Sequence, residues 1–337
     1  MKLELFQYDL PSNFIAQEPV EKRDHSKMLL LDRKTGQVRH DYFYNIINYL
    51  AHGDIIVVNE SKVQKCRICG EKEKTGAIIE CFLLQKLNDG SCLVLLRPSK
   101  RIKQKDRVLV GRYCYDILEK LEYGKAVVKF NEDVEIIINE YGKVPLPPYI
   151  KNEEVREDRY QTIYARKAGS AAAPTAGFHF TEKLIADISG RGITFAKLTL
   201  DIGLDTFRPV VEEEIEEHVI HSESYFLSDE EALKINEAKK RNGRIIAVGT
   251  TTTRVLETIA TEYGFIKGAS GKTSLYIYPG YKFKTIDALV TNFHLPGSTL
   301  IIMVSAFAGR DNILHAYEEA KKNNYRFFSF GDCMFIN

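Results

Sequence analysis

The stretch from residue 62 to 148 most constrains the fold. It holds six short apolar runs: AIIECFLLQKL (77–87), SCLVLLR (91–97), RVLVG (107–111), YDILEKL (115–121), AVVKF (126–130) and VEIIINEY (134–141). Polar breaks such as Asn88-Asp89-Gly90 and Tyr123-Gly124-Lys125 separate some of them. β-type runs at this close spacing predict a small antiparallel barrel or sandwich. The three prolines of GKVPLPPYI (142–150) close the region like a linker.

On either side of this stretch, strands alternate with helices. MLLLDR (28–33), VRHDYF (38–43) and DIIVVNES (54–61) read as strands, and NIINYLAHG (45–53) as a short helix closed by Gly53. After 150, EVREDRYQTIYAR (154–166) reads as a helix. Thr181 caps TEKLIADISG (181–190), and FAKLTLDIG (195–203) follows as a strand. Ser228 and Glu231 form a capping box for a helix that ends near Asn242-Gly243. RIIAVG (244–249) is a strand, followed by a threonine-led helix stopped at Gly264. SLYIYPG (274–280) and IDALVTNF (286–293) look strand-like. Ser298 caps TLIIMVSAFAG (299–309), Asp311 caps NILHAYEEAKK (312–322), and YRFFSF (325–330) is a last strand. The expected architecture is an α/β main domain, residues 1–61 plus 149–337, interrupted by an inserted all-β, barrel-like smaller domain, residues 62–148.

Composition narrows the class. No window approaches ~18 uninterrupted apolar residues, so no membrane span is expected. MKLELFQYDLP does not read as a signal peptide, which implies a cytoplasmic protein. Five of the six cysteines fall between Cys66 and Cys114, where reduced thiols are expected. Cys66-x-x-Cys69 lacks the second pair that a zinc site needs. Charge is unevenly spread. Residues 62–112 carry thirteen Lys/Arg against five Asp/Glu in a chain of net charge +1, while 209–233 hold nine acids and no Lys or Arg. One region could meet a polyanion and the other would repel it.

Several motifs are candidates for chemistry. GASGKTS (268–274) has Ile266 where a P-loop needs glycine and leads into a strand, so it reads as a surface hairpin. In AVGTTTTRVLE (247–257) a buried strand meets a helix start. Free amides and hydroxyls there suit a carboxylate or phosphate, with Arg254 one turn on. His294, in the Pro/Gly loop TNFHLPGST (291–299), could move a proton or be structural. His218 and His221 suit a metal only if helical. KRIKQKDR (100–107) is either an exposed edge or a phosphate-backbone contact. GSAAAPTAGFHF (169–180) is a small, uncharged loop ending on His179. The residues alone fit a nucleic-acid-modifying enzyme or a binding module.

A set of motifs in fixed order then narrows the choice. YDLPSNFIAQEP (8–19), RDHSKMLLLDR (23–33), GKVPLPPYI, DRYQTIYAR (158–166), GSAAAPTAGFHF, TFRPV (206–210), HSE (221–223), AVGTTTTRVLE, YIYPGYKF (276–283), TNFHLPGSTL, VSAFAG (304–309) and YRFFSFGDCMFI (325–336) together resemble the S-adenosylmethionine:tRNA ribosyltransferase-isomerase family of queuosine biosynthesis. The resemblance spans residues 8–336 and agrees with the fold read above. It implies an enzyme that transfers and isomerises the ribosyl part of S-adenosylmethionine onto 7-aminomethyl-7-deazaguanine at the tRNA wobble position. Epoxyqueuosine-tRNA, adenine and methionine are the expected products. S-adenosylmethionine is a consumed co-substrate; no permanent cofactor or metal, no membrane contact and a monomer are expected.

The sulfonium acidifies the adjacent C5′–H, so a base is needed there, and a second group should help adenine leave. The resemblance makes His294 or His179 the candidate base and Asp332 its partner or second acid. Thr250, Thr251, Thr252 and Arg254 are candidates for the methionine carboxylate. Tyr278 and Tyr281 could stack a base. Thr175, Gly177, Phe178 and Asn292 complete the expected substrate loops. Lys100, Arg101, Lys103, Lys105 and Arg107 are the expected tRNA contacts. The chain departs from the family pattern at Asp201 (usually His), Asp205 (usually Gly), Glu60 and Lys62. Two rivals remain: a methyltransferase using the same donor, and a non-catalytic tRNA-binding protein.

Overall fold

The computed structural model describes residues 1–152, 156–203 and 210–337. The chain forms two compact units, Met1–Lys62 with Pro147–Asn337, and Val63–Leu146.

In the larger unit, nine strands among the described residues form one sheet, in the order Ala269–Thr273, Glu223–Leu227, Thr194–Leu200, Ile55–Asn59, Ile245–Val248, Ala288–Asn292, Cys333–Ile336, Lys27–Leu31, Val38–Tyr42. The four strands from Thr194–Leu200 to Ala288–Asn292 run parallel. Their apolar side chains are buried on both faces. Ile55, Val57, Ile245, Ala247 and Leu289 face one core, and Ile56, Val58, Ile246, Val248 and Val290 the other. Two-sided burial explains why these strands read as continuous rather than alternating apolar runs. Helices Asp229–Lys240, Thr250–Tyr263, Thr299–Ala308 and Arg310–Lys322 supply the first core. Helix Glu182–Gly190 supplies the second.

The smaller unit is a closed six-stranded antiparallel barrel, ordered Lys125–Phe130, Cys92–Arg97, Ile78–Lys86, Arg67–Lys72, Arg107–Val110, Tyr113–Lys120. The fold is therefore an α/β domain with an inserted all-β barrel.

Several local expectations need correction. VEIIINEY is a helix, Val134–Tyr141, not a strand. Asp133 caps it by accepting from the Glu135 amide, and Val134, Ile137 and Ile138 reach the barrel core at helical spacing. The last strand is Cys333–Ile336, and YRFFSF is irregular because its aromatic side chains pack inward one after another. SLYIYPG is not a strand either; Tyr276 and Tyr278 lie against the core from a loop. Within EVREDRYQTIYAR the described part holds only the turn Glu157–Tyr160. GASGKTS contributes an edge strand paired with Glu223–Leu227, not a local hairpin. Thr181, Ser228 and Ser298 cap as expected. Glu231 does not complete its box: its carboxylate accepts from the Lys197 amide instead. Asp311 is not a cap, because the last helix starts two residues earlier than expected, at Arg310, after Gly309 at φ 84°. Asp205 and most of TFRPV lie outside the described residues.

Candidate active site

A hollow opens at the carboxyl ends of the parallel strands, where ligands of open α/β sheets bind. It measures roughly 1100 Å³ with its mouth included, enough for a small-molecule site. Four stretches build it: Ala172–Ala176, Gly249–Thr251 with Arg254, Thr291–Pro296 with Ser298 and Leu300, and Phe328–Ser329. Tyr149, Ile202 and Glu223 complete the wall.

The threonine stretch is placed by Gly249. Its φ of 87° lies in the region that favours glycine, and its amide donates to the Val290 carbonyl at 2.8 Å. The helix Thr250–Tyr263 then starts at the pocket wall with its unpaired first-turn amides. The four threonines divide. Thr250 and Thr251 line the pocket, and Thr251 Oγ1 is enclosed without a hydrogen-bond partner among the described residues. Thr252 donates back to the Val248 carbonyl at 2.7 Å and Thr253 to that of Gly249 at 3.2 Å. Thr252 is thus a helix-start brace and does not line the pocket. A second helix, Thr299–Ala308, also begins here, with Ser298 as its cap.

Arg254 reaches the wall already engaged. Its guanidinium pairs with Glu223 and donates to the carbonyls of Leu275 at 3.2 Å and Thr273 at 3.4 Å. A free cation for a substrate carboxylate is therefore not what the structure offers, and the expectation for Arg254 changes to holding Glu223. Glu223 also contacts His221 at 2.9 Å and accepts from the Gly203 amide at 3.1 Å. Burial pushes its carboxyl up, but the His221 bond and the Arg254 charge outweigh that, and the net shift is downward. Glu223 is a pocket carboxylate missed among the site candidates. The inward-facing positions of ESYFL carry Glu223, Tyr225 and Leu227, so the alternation puts an acid on the buried face. A buried acid demands a partner, and that is the signal that could have found it.

His294 lines the pocket and is buried. Its Nε2 lies 2.8 Å from Thr291 Oγ1, and its backbone is held by the Tyr8 and Tyr317 hydroxyls. Burial lowers its pKa to about 3, so the ring is neutral at pH 7. His179 is buried behind the wall rather than in it. Burial and the charges of Arg326 and Arg23 lower its pKa to about 3.

Asp332 is not brought to the pocket. Its two oxygens accept from the Lys27 and Arg326 amides, both at 2.8 Å. Burial raises its pKa against those bonds. Gly177 and Phe178 also miss the lining. Gly177 is glycine because a Cβ there would collide with the Tyr164 hydroxyl, and Phe178 stacks on Phe330 at 6.0 Å. Tyr278 packs against Tyr276, and Tyr281 bonds Glu257 at 3.1 Å, both away from the lining. Thr175 and Asn292 do line it, 3.4 Å apart. Tyr149 and Ser329, bonded at 2.7 Å, were not expected. His218 bonds Glu212 and His221 bonds Glu223, so the histidines have separate partners. Among the described residues, no group of three or more His, Cys, Asp or Glu could hold a metal ion, and no helix is long and apolar enough to cross a membrane.

In the barrel, Lys100, Arg101, Lys103 and Lys105 are exposed on one loop. Lys72 and Asp106 shape it: Lys72 donates to the Arg101 carbonyl at 3.0 Å, and Asp106 accepts from the Lys103 amide at 2.6 Å. Arg107 is instead tied to Asp116 by two bonds.

An α/β domain with a loop-built pocket at its strand ends and a closed barrel inserted in the chain defines a narrow structural class. The chain belongs to the queuosine biosynthesis protein family, whose model matches residues 3–336. It is 51% identical over 340 residues to the S-adenosylmethionine:tRNA ribosyltransferase-isomerase of Acetivibrio thermocellus, covering both chains in full. It is 50% identical, again with both chains covered, to the protein of that name from Caldanaerobacter subterraneus subsp. tengcongensis. A crystal structure of S-adenosylmethionine tRNA ribosyltransferase from Thermotoga maritima matches with a TM-score of 0.58 and 38% identity, covering 99% of this chain and all of that one.

Proposed function

We propose that this chain transfers and isomerises the ribosyl group of S-adenosylmethionine onto 7-aminomethyl-7-deazaguanine in tRNA, releasing adenine and methionine. The observation that carries this reading is about 50% identity across the whole length of relatives bearing that name. The pocket supports it: its wall is largely apolar, two helix starts face it, and small residues line one side.

In this reading the start of helix Thr250–Tyr263 receives the methionine carboxylate through its first-turn amides and the Thr251 hydroxyl. His294 takes the proton next to the sulfonium. Its neutral state leaves a nitrogen lone pair able to accept one, and the bond to Thr291 orients the ring. The imidazolium formed would be a second cation beside the sulfonium in an apolar wall. Glu223 in the same wall is ionised but already paired with Arg254, so among the described residues that charge has no free carboxylate there to balance it. Asp332 has no part, since both oxygens serve backbone amides. The exposed cations at 100–105 contact the tRNA backbone, and a tRNA substrate argues for the cytoplasm.

The test is adenine release from S-adenosylmethionine mixed with an anticodon stem-loop carrying the aminomethyl base. Ribose-labelled donor should leave label on RNA, and methyl-labelled donor should not. Methyl label on RNA would mean a methyltransferase, and RNA retention without adenine release a binding protein.

A further inference from the structure

His179 is buried at 3% exposure, lies outside the pocket lining, and still contacts a residue that forms it. Its Nδ1 is 2.7 Å from Ser26 Oγ and its Nε2 is 3.4 Å from Asn292 Nδ2. The Asn292 side chain meets three groups. Its Nδ2 donates to the Phe328 carbonyl at 3.1 Å, and its Oδ1 accepts from Thr175 Oγ1 at 3.4 Å. Phe328 sits at φ 70°, a costly conformation for a bulky residue and one that clusters at functional sites.

These contacts fix the orientation of the amide. A carbonyl only accepts, so the side facing Phe328 must be the NH₂ group. Its second hydrogen then points at His179 Nε2, which must carry a lone pair. The ring proton sits on Nδ1 and is donated to Ser26. The amide oxygen is left on the Thr175 side, and both Asn292 and Thr175 line the hollow.

We infer that His179 is a positioning residue that holds Asn292 with its Oδ1 toward the pocket, as an acceptor for an N–H or O–H donor of S-adenosylmethionine. This rests on the pocket's being the S-adenosylmethionine site. Thr175 meets one lone pair of that oxygen, and an acceptor fixed in a mainly apolar wall selects for a donor to the second, because an analogue lacking it leaves that lone pair unmet. The lowered pKa of His179 fits this role, since only the neutral ring can accept from Asn292.

A double-mutant cycle tests it. Asn292→Ala and His179→Phe should each lower kcat/KM for S-adenosylmethionine by about tenfold or more, and the double variant should lose no more than Asn292→Ala alone. The His179→Phe pH–rate profile should keep the parent's shape. Multiplying losses, or a vanished ionisation in that profile, would overturn the positioning role. Full kcat/KM in Asn292→Ala would overturn the acceptor role, and full kcat/KM in His294→Ala as well would refute the pocket assignment. A second measurement avoids dependence on folding of the variants: ¹⁵N–¹H spectra of the unmodified enzyme should show His179 as the neutral Nδ1–H tautomer. The Nε2–H form would refute the inference outright.

Discussion

Glu223 and Arg254 form a buried ion pair in the pocket wall, tying the second strand from the sheet edge to the first turns of a helix. Removing one partner leaves the other charged and dry. Glu223→Ala should therefore destabilise the protein by about 3 kcal/mol. Exchanging both, Glu223→Gln with Arg254→Met, should recover part of that loss. Urea unfolding of Glu223→Gln, Arg254→Met and the double variant measures the coupling, and a double-variant loss equal to the sum of the two single losses would mean that the pair is not a unit.

Acid should unfold this protein sooner than its net charge suggests. His179 and His294 have pKa values of about 3 when folded against about 6.5 when unfolded. Between those values the unfolded chain binds more protons, so stability falls as pH drops from about 6.5 and is unaffected above it. At pH 5 each histidine should cost about 2 kcal/mol. Glu223, lowered on folding, adds a loss as pH falls through its folded pKa. Asp201 and Asp332 are raised and act in the opposite sense, losing stability as pH rises. Thermal midpoints from pH 5 to 7.5 should show the histidine slope dominating, and His179→Phe should flatten it.

The main sheet was legible because strands buried on both faces are continuous apolar runs, and DIIVVNES and RIIAVG match strands Ile55–Asn59 and Ile245–Val248. The barrel was legible from run spacing. VEIIINEY misled because its three isoleucines mask the i, i+3, i+4 pattern that packs Val134, Ile137 and Ile138. In the site, the loops around Thr175, Gly249 and His294 could be read because helix caps and Pro/Gly breaks mark them. Partner choice could not. Nothing local says that Arg254 is bound to Glu223, thirty-one residues away, or that Asp332 serves two amides. Those pairings exist only once the sheet order is set.

His294 and Asp332 should respond differently to substitution. His294→Ala should lower kcat by about 10²–10⁴ with little change in KM for S-adenosylmethionine, as for a proton-transfer group. Asp332→Asn replaces one accepting oxygen with a donor facing an amide. It should cost about 1–3 kcal/mol of stability while the folded fraction keeps its pH–rate profile. An altered profile in Asp332→Asn would restore that residue as a second acid.

The barrel loop offers the sharpest test of tRNA binding. Lys100, Arg101, Lys103 and Lys105 are exposed on it, whereas Arg107 is held by Asp116. Each phosphate contact contributes about 0.7–0.9 to the slope of log K against log salt. Reversing the four loop charges should raise KM for tRNA by at least tenfold and flatten that slope by about three, while KM for S-adenosylmethionine stays the same. Arg107→Glu should act mainly through the lost Asp116 pair and change the slope far less. Lys72→Met, which unties the loop from Asp106 and the Arg101 carbonyl, should give an intermediate KM. Filter binding of unmodified tRNA from 50 to 300 mM salt reads all three, and an unchanged slope in the fourfold variant would exclude this loop as the backbone contact.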